Sequence, residues 1–182
     1  MLGSLLDAAG AETATVVAHD IGGGAALRLA AHSPDRVDRL VLSNAVCYDS
    51  WPVEFIATLG LPRTAGMDDD EFEAKLEAAF VEGAHGEADP EFVAGMKAPW
   101  LREGGKRALA RAAVATNTSH TTEIPYGDID ADVCCLWGAD ELGGEVVELA
   151  DAYHWVVEDR TEGYREELAG FLTERDTKVG GE

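Results

Sequence analysis

The chain is short of positive charge, of cysteine and of any long apolar run. Its 14 Lys and Arg residues, four of them lysines, stand against 35 Asp and Glu, for a formal net charge of −21. Such an excess repels phosphate backbones and anionic bilayers, so neither nucleic acid nor a membrane surface is expected as a partner. No stretch approaches the roughly 20 apolar residues a spanning helix needs, and no secretory signal opens the sequence. The three cysteines are Cys47 and the adjacent Cys134 and Cys135. Neighbouring strand residues point to opposite faces, so the adjacent pair is not placed to bridge itself, and a reduced, cytoplasmic setting is expected. Histidine and cysteine are too sparse, and wrongly spaced, for a metal site, and neither metal nor cofactor is expected.

What is present can fold. Hydrophobic residues make up 46% of the 182, which excludes a disordered acidic tail and allows one substantial core with a lid. The most informative stretch is 13–43, TATVVAHDIGGGAALRLAAHSPDRVDRLVLS. The apolar, β-branched run 14–18 predicts a buried parallel strand. Gly22, Gly23 and Gly24 permit a cramped turn. From Ala25 the spacing becomes helical, with Leu27, Leu29 and Ala30 on one arc. A charged loop, 35–39, then leads to a second strand at 38–43. Asp20 sits at the apex of the turn, where a substrate can reach a carboxylate. A dinucleotide or phosphate loop is the other reading of a Gly-rich strand-to-helix turn. However, Gly22-Gly23-Gly24-Ala25-Ala26-Leu27 lacks the third glycine of G-x-G-x-x-G, and the next strand ends in Ser43-Asn44 with no acidic residue.

Beyond this stretch, 2–9 predicts a helix stopped by Gly10. The segment 47–123 is helical in character. A helix capped within Met67-Asp68-Asp69-Asp70 carries Phe72, Leu76, Ala79 and Phe80, and a second starts at Pro90 with Phe92, Val93 and Met96. Pro99, Gly104 and Gly105 break the pattern before a third, roughly 106–115. Strand character returns at 133–137 and 146–150. A closing helix at 162–175 has Tyr164, Leu168, Phe171 and Leu172 as its apolar stripe, and the tail 177–182 is expected to fray.

The pentapeptide Ala18-His19-Asp20-Ile21-Gly22 has the small-x-nucleophile-x-small form of the nucleophile elbow, G-x-S-x-G, with Asp in place of Ser. His-Asp-x-Gly-Gly resembles the Asp-nucleophile branch of the α/β hydrolases, which holds epoxide hydrolases and haloacid or haloalkane dehalogenases. The resemblance continues in LWGADE (136–141) and AYHWVVED (152–159). It implies an α/β-hydrolase fold, a mostly parallel sheet with a helical cap insertion. The core would be 1–46 and 124–176, and the cap 47–123, for which a surface helical hairpin is the plainer alternative. The acidic composition resembles that of salt-adapted cytoplasmic proteins, and at low salt its self-repulsion is expected to destabilise the chain.

The resemblance also implies a chemistry. A carboxylate, with an ordinary pKa of about 3.9, needs no base to act as a nucleophile. Asp20 would attack an electrophilic carbon and form an ester. His154 would activate water against that ester, Glu141 or Asp140 would orient the histidine, and the Ile21 N–H would donate to the oxyanion. His19, Trp51, Trp100 and Tyr126 are pocket candidates, while His120 has no motif behind it. Each has a plainer role: Asp20 as a helix N-cap, His154 packed beside Trp155, Asp140 and Glu141 as turn residues, His19 as a structural hydrogen-bonder, and the aromatics as core. The substrate is a small molecule, with epoxide and organohalide both open. Ile21 stands where dehalogenases commonly place Trp or Arg, and no tyrosine lies between Trp51 and Thr122, with Tyr48 and Tyr126 flanking.

Two departures shape the expectation. Only one short helix precedes the nucleophile strand, where the family places several strands and a His-Gly loop that gives the second oxyanion donor. The first strand should therefore present an unpaired edge, open to self-association. Between Glu141 and Val146 only Leu142, Gly143, Gly144 and Glu145 intervene, fewer than the dozen or so of a parallel crossover. Strand 146–150 is then expected to run antiparallel to 133–137 or to leave its usual place. If antiparallel, it would carry His154 on the order of 15–20 Å from the acid, and a triad would not close. The expectation is an incomplete hydrolase fold, either an Asp-nucleophile hydrolase or a truncated or degenerate relative that only binds.

Overall fold

The computed structural model describes residues 1–138 and 147–173. In chain order it contains α1 (Leu2–Ala9), β1 (Ala14–Asp20), α2 (Ile21–His32), β2 (Val37–Ala45), α3 (Glu54–Leu59), α4 (Pro62–Ala65) and α5 (Asp69–Glu82). There follow α6 (Pro90–Leu101), α7 (Gly105–Val114), α8 (Ser119–Thr122), β3 (Asp132–Gly138), β4 (Val147–Leu149), α9 (Val156–Asp159) and α10 (Thr161–Thr173). Asp140 and Glu141, the start of the strand expected at 146, the end of the closing helix and the tail 177–182 lie outside the described residues. The chain divides into two compact units, Met1–Cys47 with the part from Ile124 onward, and Tyr48–Glu123. Among the described residues no helix is long and apolar enough to cross a membrane.

The first unit is built on a sheet in the order β1-β2-β3-β4, with every neighbouring pair parallel. Alternation along β2 feeds two cores. Leu40 and Leu42 join Ala18, Ala26, Leu27, Ala30 and Ala31 on the α2 side. Val41 joins Leu136, Leu149, Val156 and Tyr164 on the α10 side. Arg39, buried on that same side, donates from Nη1 to the Phe171 carbonyl at 2.6 Å and lies over the Phe171 ring, two contacts that join β2 to α10. Gly10 ends α1 in the left-handed conformation (φ 69°), as its position predicts.

Two expectations change. β1 is not buried on both faces. It is the sheet's edge strand among the described residues, which agrees with the unpaired edge expected of it, and Val17 is 49% exposed. β4 is parallel to β3, not antiparallel. The dozen-residue rule describes a crossover that returns along a whole strand. Here β4 is three residues long and pairs only with the tip of β3, Val147 beside Leu136 and Leu149 beside Gly138. From Gly138 to Val147 the chain returns only about two residue rises, roughly 7 Å, and shifts one strand spacing of about 4.8 Å. A short connection suffices.

The second unit is helical. Asp68 caps α5 by accepting from the Glu71 N–H at 2.8 Å, with Asp69, Asp70 and Glu71 in the first turn. Asp89 caps α6, and Pro90 occupies its first turn. Lys97 of α6 donates to Glu73 and Glu77 of α5 at 2.9 and 2.7 Å. Pro99 does not end α6. It lies within its last turn, where few backbone bonds remain to be lost, and the break follows at Arg102, which is extended, and Gly104 (φ 78°).

Candidate functional site

Asp20 closes β1 and opens α2 with φ 48° and ψ −127°, a backbone conformation that L residues rarely adopt and that costs on the order of 1–3 kcal/mol. The register slips here. His19 pairs with Ser43 but Asp20 pairs with Ala45, so Asn44, itself at φ 40°, is bulged out opposite the turn. The Val46 N–H to Asp20 carbonyl bond, 3.0 Å, holds the far side of the bulge. The close fit of α2 against β2 depends on Gly23, where a Cβ would stand 2.3 Å from Ala45 Cβ. Gly22 faces open space, so the steric demand expected of the whole glycine run is not general.

The Asp20 carboxylate does not bond to the α2 amides, so the N-cap reading does not describe it. It is 45% exposed, and His154 Nε2 lies 4.0 Å from its Oδ2. That separation is longer than a hydrogen bond and short enough for one small reactant or water to contact both. Ile21 is the first residue of α2, and its N–H is among those a helix leaves without an internal acceptor.

His154 reaches Asp20 along the tips of the strands. The segment after β4 meets the ends of β3, β2 and β1. At β3, Gly138 lies so close that an added Cβ would stand 2.4 Å from the Tyr153 carbonyl oxygen and 2.7 Å from that of Ala152. At β2, Asn44 Nδ2 donates to the Tyr153 carbonyl at 3.1 Å, and Asn44 Oδ1 accepts from the Gly138 N–H at 3.2 Å. At β1, His19 Nε2 lies 2.9 Å from the His154 carbonyl. A carbonyl only accepts, so His19 carries its proton on Nε2. The Tyr153 N–H donates to Asp159 Oδ2 at 2.8 Å, which ties the segment to α9. The His154 ring is flanked by Trp155 at 4.5 Å, edge-on, and by His19 at 5.1 Å.

Of the residues singled out from sequence, the structure brings together Asp20, Ile21, His19 and His154. His154 does pack beside Trp155, but it also faces Asp20. Asp140 and Glu141 are outside the described residues. Tyr126, in a 3₁₀ turn, packs against the α2-side core. Trp51 belongs to the second unit, where its Nε1 donates to Thr121 Oγ1 at 3.1 Å and its carbonyl accepts from Thr118. Trp100 is also there, on α6, and His120, on α8, lies 6.5 Å ring to ring from Trp51. Sequence reading missed Asn44, Gly138 and Asp159, since nothing local marks a strand-end Asn as a bridge. Burial pushes the Cys47 and Cys135 thiols above their ordinary range. Among the described residues no group of three or more His, Cys, Asp or Glu is arranged to hold a metal.

Comparison with known proteins agrees with this architecture. A family model described as alpha/beta hydrolase fold matches residues 1–69. No curated protein sequence matches the chain. An alpha/beta hydrolase fold protein from Burkholderia ambifaria superposes with a TM-score of 0.82 at 22% identity, covering 93% of this chain and 70% of its own. A haloalkane dehalogenase DbeA loop variant from Bradyrhizobium elkanii superposes at 0.74 with 17% identity, covering 98% and 73%. The epoxide hydrolase CorEH superposes at 0.70 with 17% identity, covering 94% and 71%. With its parallel sheet, its strained strand-to-helix turn and these likenesses, the chain has the α/β-hydrolase fold.

Proposed function

We propose that this chain is a hydrolase that acts through an Asp20 ester on a small electrophilic carbon substrate, an epoxide or an organohalide. The observation that carries the reading is the pair formed by a half-exposed, uncapped carboxylate at a strained turn and an imidazole Nε2 4.0 Å away. An Asp20 oxygen attacks carbon. The carbon–halogen bond breaks and halide leaves with its electron pair, or the epoxide C–O bond breaks and its oxygen takes a proton from water. His154 then accepts a proton from water, and the hydroxide adds to the Asp20 carboxyl carbon, opposite the Ile21 N–H. The ester C–O bond breaks, the alcohol leaves with the imidazolium proton, and the carboxyl group left on Asp20 releases its proton to solvent and returns to the carboxylate. Both substrate classes share this ester, and the fold likeness to a haloalkane dehalogenase and an epoxide hydrolase agrees with either.

A single turnover in ¹⁸O-water tests it, because the water oxygen enters Asp20 before it enters product. Peptide mapping should find the label on Asp20. Label in the product alone would overturn the ester route.

A second reading, a binding module without turnover, is favoured by the edge position of β1 among the described residues, with Val17 of that strand exposed. It is expected to show no substrate-derived adduct anywhere in the chain.

A further inference from the structure

We propose that Asn44 is a positioning residue of this site: one carboxamide joins the tip of β3 to the histidine-bearing segment and so sets His154 opposite Asp20. The inference rests on the hydrolase reading for its catalytic consequence, but not for its geometry. Asn44 is 5% exposed and uses both ends of its amide, Oδ1 on the Gly138 N–H and Nδ2 on the Tyr153 carbonyl. Gly138 is the last described residue before 139–146, where the sequence places the candidate acids. Tyr153 immediately precedes His154. The same side chain therefore fixes the two strand-end segments whose relative position decides whether the imidazole meets the carboxylate.

Three features make the residue type specific. Its φ of 40° is tolerated by Asn, Asp and Gly far better than by other residues. A donor and an acceptor on one short side chain are both required, which Asp does not supply and Gln supplies one methylene too far out. Finally, the absence of a Cβ on Gly138 lets the 152–153 backbone approach closely enough for one amide to span both. His19 anchors the next residue along, at the His154 carbonyl, so two successive carbonyls of this segment are held from neighbouring strand ends.

The test uses the full chain with Asn44→Asp, which keeps the acceptor for Gly138 and loses the donor for Tyr153, and Asn44→Gly, which keeps the backbone conformation and loses both. Under single turnover, Asp20 ester formation should stay within about threefold of wild type, while ester hydrolysis should fall at least tenfold. Equal loss in both steps, or none in either, would overturn the proposal. A readout independent of turnover is ¹⁵N-histidine NMR. The His154 ring signals should shift or broaden in both variants, while His32 and His85 stay in place. Unchanged His154 signals in folded variants would overturn it even if no substrate is ever found. Should both variants fail to fold, the wild-type chain still decides through hydrogen-bond coupling between Asn44 Nδ2 and the Tyr153 carbonyl. Detected coupling supports the bridge and its absence overturns it. If wild type and His154→Gln form no ester while the NMR effects appear, the hydrolase reading fails and the positioning role of Asn44 stands.

Discussion

His154 Nε2 faces Asp20 Oδ2 across 4.0 Å, although the two come from opposite ends of the sheet order. The meeting is a consequence of parallel strands. All four C-terminal ends lie along one edge, so the turn after β1 and the segment after β4 share it. From Leu149 to His154 is five residues, enough for about 17 Å, and crossing three strand spacings needs about 14 Å. The segment's hydrogen bonds go to β2 and β1, and its close approach is to the end of β3.

The glycine run should divide sharply on substitution. Gly23→Ala drives a Cβ to 2.3 Å from Ala45 Cβ and is expected to destabilise by about 1–3 kcal/mol. Gly22→Ala meets nothing within 4 Å and lies in α2, so it is expected to stabilise by roughly 0.5–1 kcal/mol. Denaturant unfolding of the two variants in the same buffer checks both signs.

Gly138→Ala should do more than lower stability. Its Cβ would press on the Ala152 and Tyr153 carbonyls, backbone that cannot rotate away, and the segment carrying His154 must shift. A loss of turnover larger than the loss of folded protein is expected, measured by activity normalised to the near-UV circular dichroism signal.

The thiols give a pH dependence. Burial raises Cys47 and, more than any effect of its neighbour Cys47, raises Cys135. In the unfolded chain a thiol ionises near 8.5. Above that pH the unfolded state has lost protons that the folded state keeps, so the stability these groups contribute is fully present below it and declines as pH rises through the folded values. Chemical denaturation from pH 7 to pH 10 should show falling stability, and less of a fall in a Cys47→Ala, Cys135→Ala variant. Disulfide-reagent titration of the native chain should be slow at pH 8 and fast once denatured.

Charge predicts the response to salt. With a net charge of −21, self-repulsion weakens as the screening length falls from about 10 Å at 0.1 M to about 3 Å at 1 M. The melting temperature should rise as KCl is increased over that range. A flat or falling response would mean that the acidic groups are already balanced locally.

The sequence carried what is encoded locally. The α1 stop at Gly10, the turn at Asp20 and the capped start of α5 each depend on a few adjacent residues, and each lies where its pattern points. What depends on distant partners was not legible. The run 14–18 reads as a buried strand because it is apolar, but burial depends on neighbours, and Val17 is left half exposed even though the edge position of β1 among the described residues is itself expected. Counting connecting residues gives β4 the wrong direction because it assumes a full-length strand, whereas β4 needs only three residues at the tip of β3. Asn44 reads as an unremarkable strand end, and its two bonds go to Gly138 and Tyr153, far away in sequence.

The proposed reaction requires that Asp20 form an ester that His154 removes. Incubating His154→Gln in high salt with a panel of epoxides and alkyl halides, then measuring intact and peptide masses, tests it directly. One substrate-derived adduct is expected, on Asp20, that persists in His154→Gln, turns over in wild type and is absent from Asp20→Asn. No adduct across the panel, or an adduct on another residue that survives Asp20→Asn, would contradict it.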